Sequence, residues 1–143
     1  MSFPMTWPKC LESGNPPIEN PAGYAFASLV AGECARSFRA GPCAHREPEN
    51  TVFVSAVSLW EIWLKESLGK LRLPADFEVK MADEPFENLP LSATHARQVA
   101  LLPWHHRDPF DRMLVAQAGA ENLILLTADD QVTAYGDFVR LVR

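Results

Sequence analysis

Three acidic residues, Glu61, Asp111 and Asp129, have the side-chain types and the sequence positions that a metal site needs. Each is predicted to lie near the start of a helix or just beyond the end of a strand. Carboxylates that lie close together in a poorly solvated cleft repel one another unless a cation sits between them. Hard oxygen ligands with room for water suit Mg²⁺ or Mn²⁺. Such an ion activates water and stabilises a phosphodiester during displacement, so these acids predict metal-assisted hydrolysis.

The same acids also have a structural explanation as helix caps. Ser58 and Glu61 have the spacing of a capping box, and Asp108 and Asp111 repeat that spacing with an acid at both ends. The helix macrodipole favours acids near a helix N-terminus by about 0.3–1 kcal/mol. Against capping alone, Glu61 shares a predicted helical stripe with three apolar residues: Val57, Leu64 and Leu68. The helix around Asp111 is apolar nearly all round, which favours a buried carboxylate.

Strands and helices alternate from residue 50 onward, and this order predicts where the acids lie. Strands or extended segments are predicted at 51–56, 86–91, 122–127 and 137–142. Helices are predicted at 57–69, 75–83, 92–102, 109–121 and, as a short helix, within 128–136. The nearly all-apolar run 122–127 is typical of a parallel strand buried on both faces. The pattern predicts a three-layer α/β/α sandwich with a central parallel sheet, in which ligands bind beyond the carboxyl ends of the strands.

Composition and charge restrict the class of protein. The chain has 143 residues, 48% hydrophobic and 22% charged, which is typical of one globular domain. The net charge of −5 argues against a broad basic surface for nucleic acid, so a metal would have to lead any nucleic-acid chemistry. Three cysteines at irregular spacing predict neither a disulfide framework nor a zinc site. The lack of a long apolar run or a leader-like start predicts a cytoplasmic protein without a membrane span.

Three ordered motifs resemble the PIN-domain family, and within it the VapC-type toxins of bacterial toxin–antitoxin pairs. The motifs are VSAVSLWEIWLKESLGKLRLP, HHRDPFDRMLVAQA and LILLTADD, in a match that runs from about residue 48 to residue 141. The resemblance implies an α/β/α fold and a Mg²⁺- or Mn²⁺-dependent endoribonuclease that a small antitoxin protein restrains. It implies metal ligation and catalysis by Glu61, Asp111 and Asp129, with RNA as the substrate. The family commonly dimerises, so a homodimer is a further expectation.

Other polar residues near the motifs have weaker claims to a role. Asp108 and Asp130 are candidates for a supporting role beside the three acids. Arg112 is a third candidate, either holding a phosphate or, as the favoured alternative, forming an ion pair with Asp108. Three histidines lack metal-ligand spacing and are expected in a solvated loop or on a helix surface: His95, His105 and His106.

Two tryptophans in the first motif, Trp60 and Trp63, have two open interpretations. Indole rings stack on nucleobases, so both side chains are candidates for RNA contact. Two tryptophans on a helix beside a strand are more often part of a core or of a partner interface.

The first third of the chain, residues 1–47, departs from the family pattern. The family has an early strand resembling LLLDTHALLWWL, whose aspartate is a central metal ligand, and this chain has no such stretch. The segment is rich in Pro and Gly without periodicity, which predicts poor structure. As written, the chain is expected to lack one strand and to leave the centre of the sheet unfilled. The predicted division is therefore an atypical segment 1–47 and a PIN-like domain 48–143.

A shift of reading frame accounts for the missing strand. Codons for residues 20–32 can be chosen so that, read one nucleotide out of step, they spell ILLDTHSLLWWL. In that frame the aspartate falls across the codons of Gly23 and Tyr24. We therefore hypothesise that residues from about 18 to 47 are an out-of-frame translation.

Three functions compete at the level of sequence. The first is a metal-dependent endoribonuclease of the VapC type. The second is a catalytically inactive remnant that only binds an antitoxin, because the first acidic ligand is absent. The third, a phosphate- or nucleotide-binding α/β module, is weakened because no Gly-rich loop follows any predicted strand.

Overall fold

A computed structural model describes the backbone of residues 24–27 and the whole of residues 51–84 and 86–141. The strands are β1 (Tyr24–Ala27), β2 (Thr51–Ser55), β3 (Phe86–Leu89), β4 (Ile124–Thr127) and β5 (Val139–Leu141). The helices are α1 (Ala56–Ser67), α2 (Phe77–Asp83), α3 (Ala93–Leu101) and α4 (Pro109–Glu121), followed by a 3-10 helix (Asp130–Tyr135). Every element predicted after residue 50 is present, with its ends moved by at most two residues. None of the helices in these described ranges is long and apolar enough to cross a membrane.

The five strands form one sheet in the order β3-β2-β1-β4-β5, and every pair of neighbours is parallel. The chain moves outward from β1 through β2 to β3, then returns to place β4 and β5 on the other side of β1. The strand order therefore reverses between β1 and β4. In open parallel sheets this switch point, at the carboxyl ends of the strands, is where ligands bind.

The central strand β1 overturns one expectation from the sequence. Its backbone pairs with β2 through Tyr24 and Thr51, and with β4 through Ala25 and Ile124. The expectation of an unfilled place in the sheet is therefore wrong. Because backbone groups form the ladder, a short extended segment supplies the strand without supplying the family's aspartate. Apart from the β1 backbone, segment 1–47 lies outside the described residues, so its division from 48–143 and its reading frame stay predictions.

Two hydrophobic clusters lie against opposite faces of the sheet. Successive residues of a strand point to opposite faces, and on β2 Phe53 packs against one cluster while Val54 belongs to the other. The first cluster joins α4, β4 and β5, with Leu114, Val115 and Leu125 about 1% exposed. The second joins α1 to the chain around α2: Val54, Ile62, Leu71 and Phe77. Helices thus cover both faces, and the predicted α/β/α fold is confirmed.

His95 is buried in a polar network, so its expected place on a helix surface is wrong. Ser92 caps α3, and the ring Nδ1 of His95 accepts the Ser92 backbone N–H at 3.2 Å. The other ring nitrogen, Nε2, donates to Glu121 at 2.7 Å. The buried amide of Gln117 lies 3.4 Å from Nδ1 and its oxygen accepts the hydroxyl of Ser55. Contacts with α4 therefore bury this side chain, which was expected on the helix surface.

Candidate metal centre

Three side chains converge beyond the carboxyl ends of the central strands. His106, Asp111 and Asp129 each offer one ligand atom within 4.8 Å of the others. His106 Nε2 lies 3.1 Å from Asp129 Oδ2, and His106 Nδ1 lies 3.6 Å from Asp111 Oδ2. Their side chains are 11%, 15% and 33% exposed for His106, Asp111 and Asp129, respectively. The group therefore lies in a cleft that still reaches solvent at Asp129.

Asp111 is positioned by the start of α4. Pro109 occupies a first-turn position, where its missing N–H is tolerated, and Asp108 is the N-cap. Asp108 Oδ1 accepts the backbone N–H groups of Phe110 at 2.8 Å and Asp111 at 3.4 Å. The predicted capping role of Asp108 is thus confirmed. Because Asp108 caps the helix, the carboxylate of Asp111 is left to face the cleft.

The charges around Asp111 oppose its ionisation. The pKa of Asp111 is raised to about 6, first by burial and then by the negative charge of Asp108. The neighbouring charges of Glu61 and Asp129 act in the same direction, and His106 lowers the pKa. A cation among these carboxylates would remove this repulsion, which is the electrostatic signature expected of a metal site.

The two carboxylate oxygens of Asp129 have different roles. It follows β4 by two residues, and its own N–H donates to Thr127 Oγ1 at 3.1 Å. Its Oδ1 accepts the N–H of Gln131 at 2.9 Å and caps the 3-10 helix. Its Oδ2 faces His106, so one oxygen fixes the side chain while the other is directed at the site.

Glu61 borders this group from α1 without belonging to it. Glu61 as a whole residue is 5% exposed, and its carboxylate contacts the Lys65 ammonium at 2.6 Å. Burial raises the pKa of Glu61, the Lys65 hydrogen bond opposes that rise, and the charge of Asp108 adds to it. Glu61 also raises the pKa of Asp111, so the two carboxylates lie within electrostatic reach. The three predicted acids are therefore neighbours, with Lys65 as a cation that the sequence did not single out.

The packing of α1 against α4 explains how Glu61 comes near Asp111. The residues that precede them, Trp60 and Phe110, make an edge-to-face contact with ring centroids 4.9 Å apart. The proposed stripe is wrong in part, because Val57 is buried beside Glu61 while Leu64 and Leu68 are exposed. The capping box of Ser58 and Glu61 is also wrong, since Ser55 is the N-cap and accepts the Val57 N–H at 3.0 Å.

Arg112 is buried and satisfied by oxygen atoms other than carboxylates. It donates to the carbonyls of Val99, Leu102 and Pro103 and to the hydroxyl of Tyr135, at 2.7–3.2 Å. Its guanidinium carbon lies 3.9 Å from the centre of the Trp104 ring. The favoured ion pair with Asp108 is therefore wrong, and no phosphate role is needed to explain Arg112. It ties the end of α3 and the next loop to α4.

The remaining predicted residues differ in their exposure and in whether they belong to the three-residue group. His105 is exposed, as expected, but His106 is half-buried in the site and corrects the prediction of a solvated loop pair. Asp130 is exposed at the start of the 3-10 helix and is outside the three-residue group. Trp60 and Trp63 are 57% and 43% exposed, so neither is a core residue. The motif HHRDPFD carried the signal for His106, since Asp108 and Asp111 lie two and five residues later.

Comparison with protein families identifies the class of protein. The profile of the PIN domain matches residues 23–137, which is most of the chain, and the chain therefore belongs to the PIN domain family. PIN domains are generally nucleases that use divalent metal ions. The match begins at residue 23, immediately before β1, and ends after the 3-10 helix. No curated protein matches the chain.

Proposed function

We propose that this chain is a VapC-type toxin that cleaves RNA phosphodiesters with Mg²⁺ or Mn²⁺. The observation that carries the proposal is the convergence of Asp111 and Asp129 in one cleft, with Glu61 within electrostatic reach of Asp111. Burial and the like charges raise the pKa of Asp111 to about 6. The donor set is rich in carboxylate oxygen, which suits these hard cations. When bound, the ion supplies an activated water and neutralises charge on the phosphodiester.

The residues of the chain divide the work around that ion. Asp111 and Asp129 each direct a carboxylate oxygen into the cleft, so they are the proposed principal ligands. Glu61 is the proposed third acid, and Lys65 neutralises it in the absence of metal. Asp108 positions Asp111 through the helix cap and contributes negative charge.

The toxin assignment rests on the VapC-like motifs and brings expectations about partners. A cognate antitoxin, an RNA substrate, a cytoplasmic location and a homodimer all follow from it. The solvent-facing surface of α1 supports a protein partner, because Trp60, Trp63 and Leu68 expose apolar surface there.

The second candidate is an inactive remnant that only binds the antitoxin. It is favoured by the composition of β1, whose residues are Tyr, Ala, Phe and Ala. Between Glu19 and Glu33 the sequence contains no acid, so the strand cannot provide the family's first carboxylate.

Cleavage of a labelled RNA pool by the purified chain separates the two candidates. We expect cleavage with MgCl₂ or MnCl₂, its abolition by EDTA, and a fall of about 100-fold or more in Asp111→Asn and Asp129→Asn. Asp83→Asn, the same change on an exposed residue of α2, is the matched control. Growth arrest of a bacterial host by the wild-type chain, absent with Asp111→Asn, tests the toxin role. Absent cleavage would favour the remnant, and cleavage that persists in EDTA would contradict the metal-dependent mechanism.

A further inference from the structure

The tautomer of His106 determines what this side chain does in the proposed metal centre. By distance alone, its ring nitrogens qualify as a ligand beside Asp111 and Asp129. However, the backbone N–H of Asp108 donates to His106 Nδ1 at 3.1 Å. An N–H group can only donate, so Nδ1 carries the lone pair and Nε2 carries the hydrogen. The Nε2–H group then points at Asp129 Oδ2, 3.1 Å away.

We infer that His106 is a positioning residue that orients Asp129 through this Nε2–H bond, and that it is not a metal ligand. The inference rests on the proposed function, in which Asp129 binds the metal. Ligation through Nε2 would require the hydrogen on Nδ1, where it would oppose the N–H of Asp108. Ligation through Nδ1 would use the lone pair that already accepts this N–H. Hydrogen-bond donors behind ligating carboxylates fix their orientation, and their loss typically weakens metal binding 10- to 100-fold.

The backbone of His106 is held in place by two further residues, Tyr135 and Arg112. The backbone N–H of His106 donates to the hydroxyl of Tyr135 at 3.1 Å. That hydroxyl also accepts from Arg112 at 3.0 Å, and Arg112 is 3% exposed. The buried guanidinium of Arg112 thus positions the Tyr135 hydroxyl, which accepts the backbone N–H of His106. The His106 imidazole in turn donates to Asp129. At the start of α4, the backbone N–H of Asp108 contacts the other ring nitrogen of His106, Nδ1.

Metal binding by matched variants tests the inference. We expect His106→Phe to weaken Mn²⁺ binding, measured by calorimetry, about tenfold or more. His106→Gln retains a donor near Nε2 and is expected to stay within about threefold of wild type. Asp83→Asn, on an exposed residue of α2, is the control, because the His105 ring contacts Tyr135 and is not independent of the arrangement. Unchanged Mn²⁺ affinity in His106→Phe would overturn the positioning role.

Pulsed electron paramagnetic resonance of the Mn²⁺-loaded wild type distinguishes a positioning residue from a ligand. We expect no nitrogen directly coordinated to the ion. A coordinated imidazole nitrogen that disappears in His106→Gln would overturn the inference.

The ring nitrogens of the metal-free protein provide a test that does not need the proposed function. Nitrogen-15 NMR of the neutral His106 imidazole is expected to show hydrogen on Nε2, and hydrogen on Nδ1 would refute the arrangement. Failure of the wild type to bind Mn²⁺ or cleave RNA would instead contradict the proposed function, while this tautomer measurement still decides the hydrogen bond.

Discussion

Asp108 and Asp111 are one helical turn apart and act on each other in two ways. Oδ1 of Asp108 accepts the backbone N–H of Asp111, and the negative charge of Asp108 raises the pKa of the Asp111 carboxyl. The residue that caps α4 therefore also adds a negative charge that repels the ionised Asp111 carboxylate. A fold that keeps such an arrangement is destabilised locally unless a cation compensates.

The pH dependence of stability follows from Asp111. Its pKa is about 6 in the folded chain and 3.8 as the reference for the unfolded chain, so the folded state binds the proton more tightly. Stability is therefore expected to fall as pH rises from about 4 to about 6, and to stay lower above that range. Asp111→Asn should remove this loss and stabilise the metal-free protein by about 1–3 kcal/mol at pH 8.

Urea denaturation at pH 4 and pH 8 measures that difference. The gain of Asp111→Asn is expected to be small at pH 4, where the wild-type carboxyl is largely protonated. Asp83→Asn provides the control at both pH values. An equal effect of Asp111→Asn at the two pH values would contradict the predicted linkage.

Substitution of Asp108 separates the cap from the charge. Asp108→Asn keeps a side-chain oxygen for the N–H groups of Phe110 and Asp111, and removes the negative charge. We expect the pKa of Asp111 to fall in this variant, as measured by carboxyl NMR. Asp108→Ala should lower the pKa as well but also cost about 1 kcal/mol of stability through loss of the cap. Equal stability of the Asn and Ala variants would refute the capping role.

Gly69, just after α1, tests a backbone requirement. Its φ is +69°, a left-handed conformation, and a Cβ added there would meet no described atom within 4 Å. Gly69→Ala is therefore expected to lower the free energy of unfolding by about 1 kcal/mol, from backbone strain alone. Gly69→Asn should lower it less, because Asn tolerates this conformation. Thermal unfolding of both variants checks the order, and a reversed order would exclude backbone strain as the cause.

Replacement of residues 20–31 by ILLDTHSLLWWL tests the hypothesis of a shifted frame. If that stretch is the ancestral strand, its residues 20–22 pair with β2 and β4 in place of the 24–27 backbone. The aspartate at position 23 then follows the strand and adds a charged ligand at the carboxyl edge of the sheet. We expect Mg²⁺ affinity to rise on the order of tenfold or more, with faster RNA cleavage.

The same twelve residues with Asn in place of that aspartate are the matched control for strand packing. Equal affinity in both replacements would show that the aspartate does not bind the metal. The nucleotide sequence across codons 18–48 decides separately whether the frame is as written.

The elements after residue 50 followed from local signals in the sequence. Pro109 after Asp108, Ser92 before α3 and the apolar run of β4 each act within a few residues, where capping, proline geometry and burial dominate. The acids could likewise be assigned to one edge, because the carboxyl ends of parallel strands share it. Asp111 and Asp129 lie together as that rule predicts.

Long-range contacts decided the rest. The sequence by itself determined the α/β order and the acidic character of the site, since both depend on residue type and spacing. Only the tertiary structure placed His106 against Asp129, buried His95 beside Gln117 and turned Arg112 away from Asp108. Each of these outcomes depends on which donor and acceptor meet across elements far apart in the chain. Backbone pairing likewise put β1 at the centre of the sheet, because a ladder needs an extended backbone and not the family's aspartate.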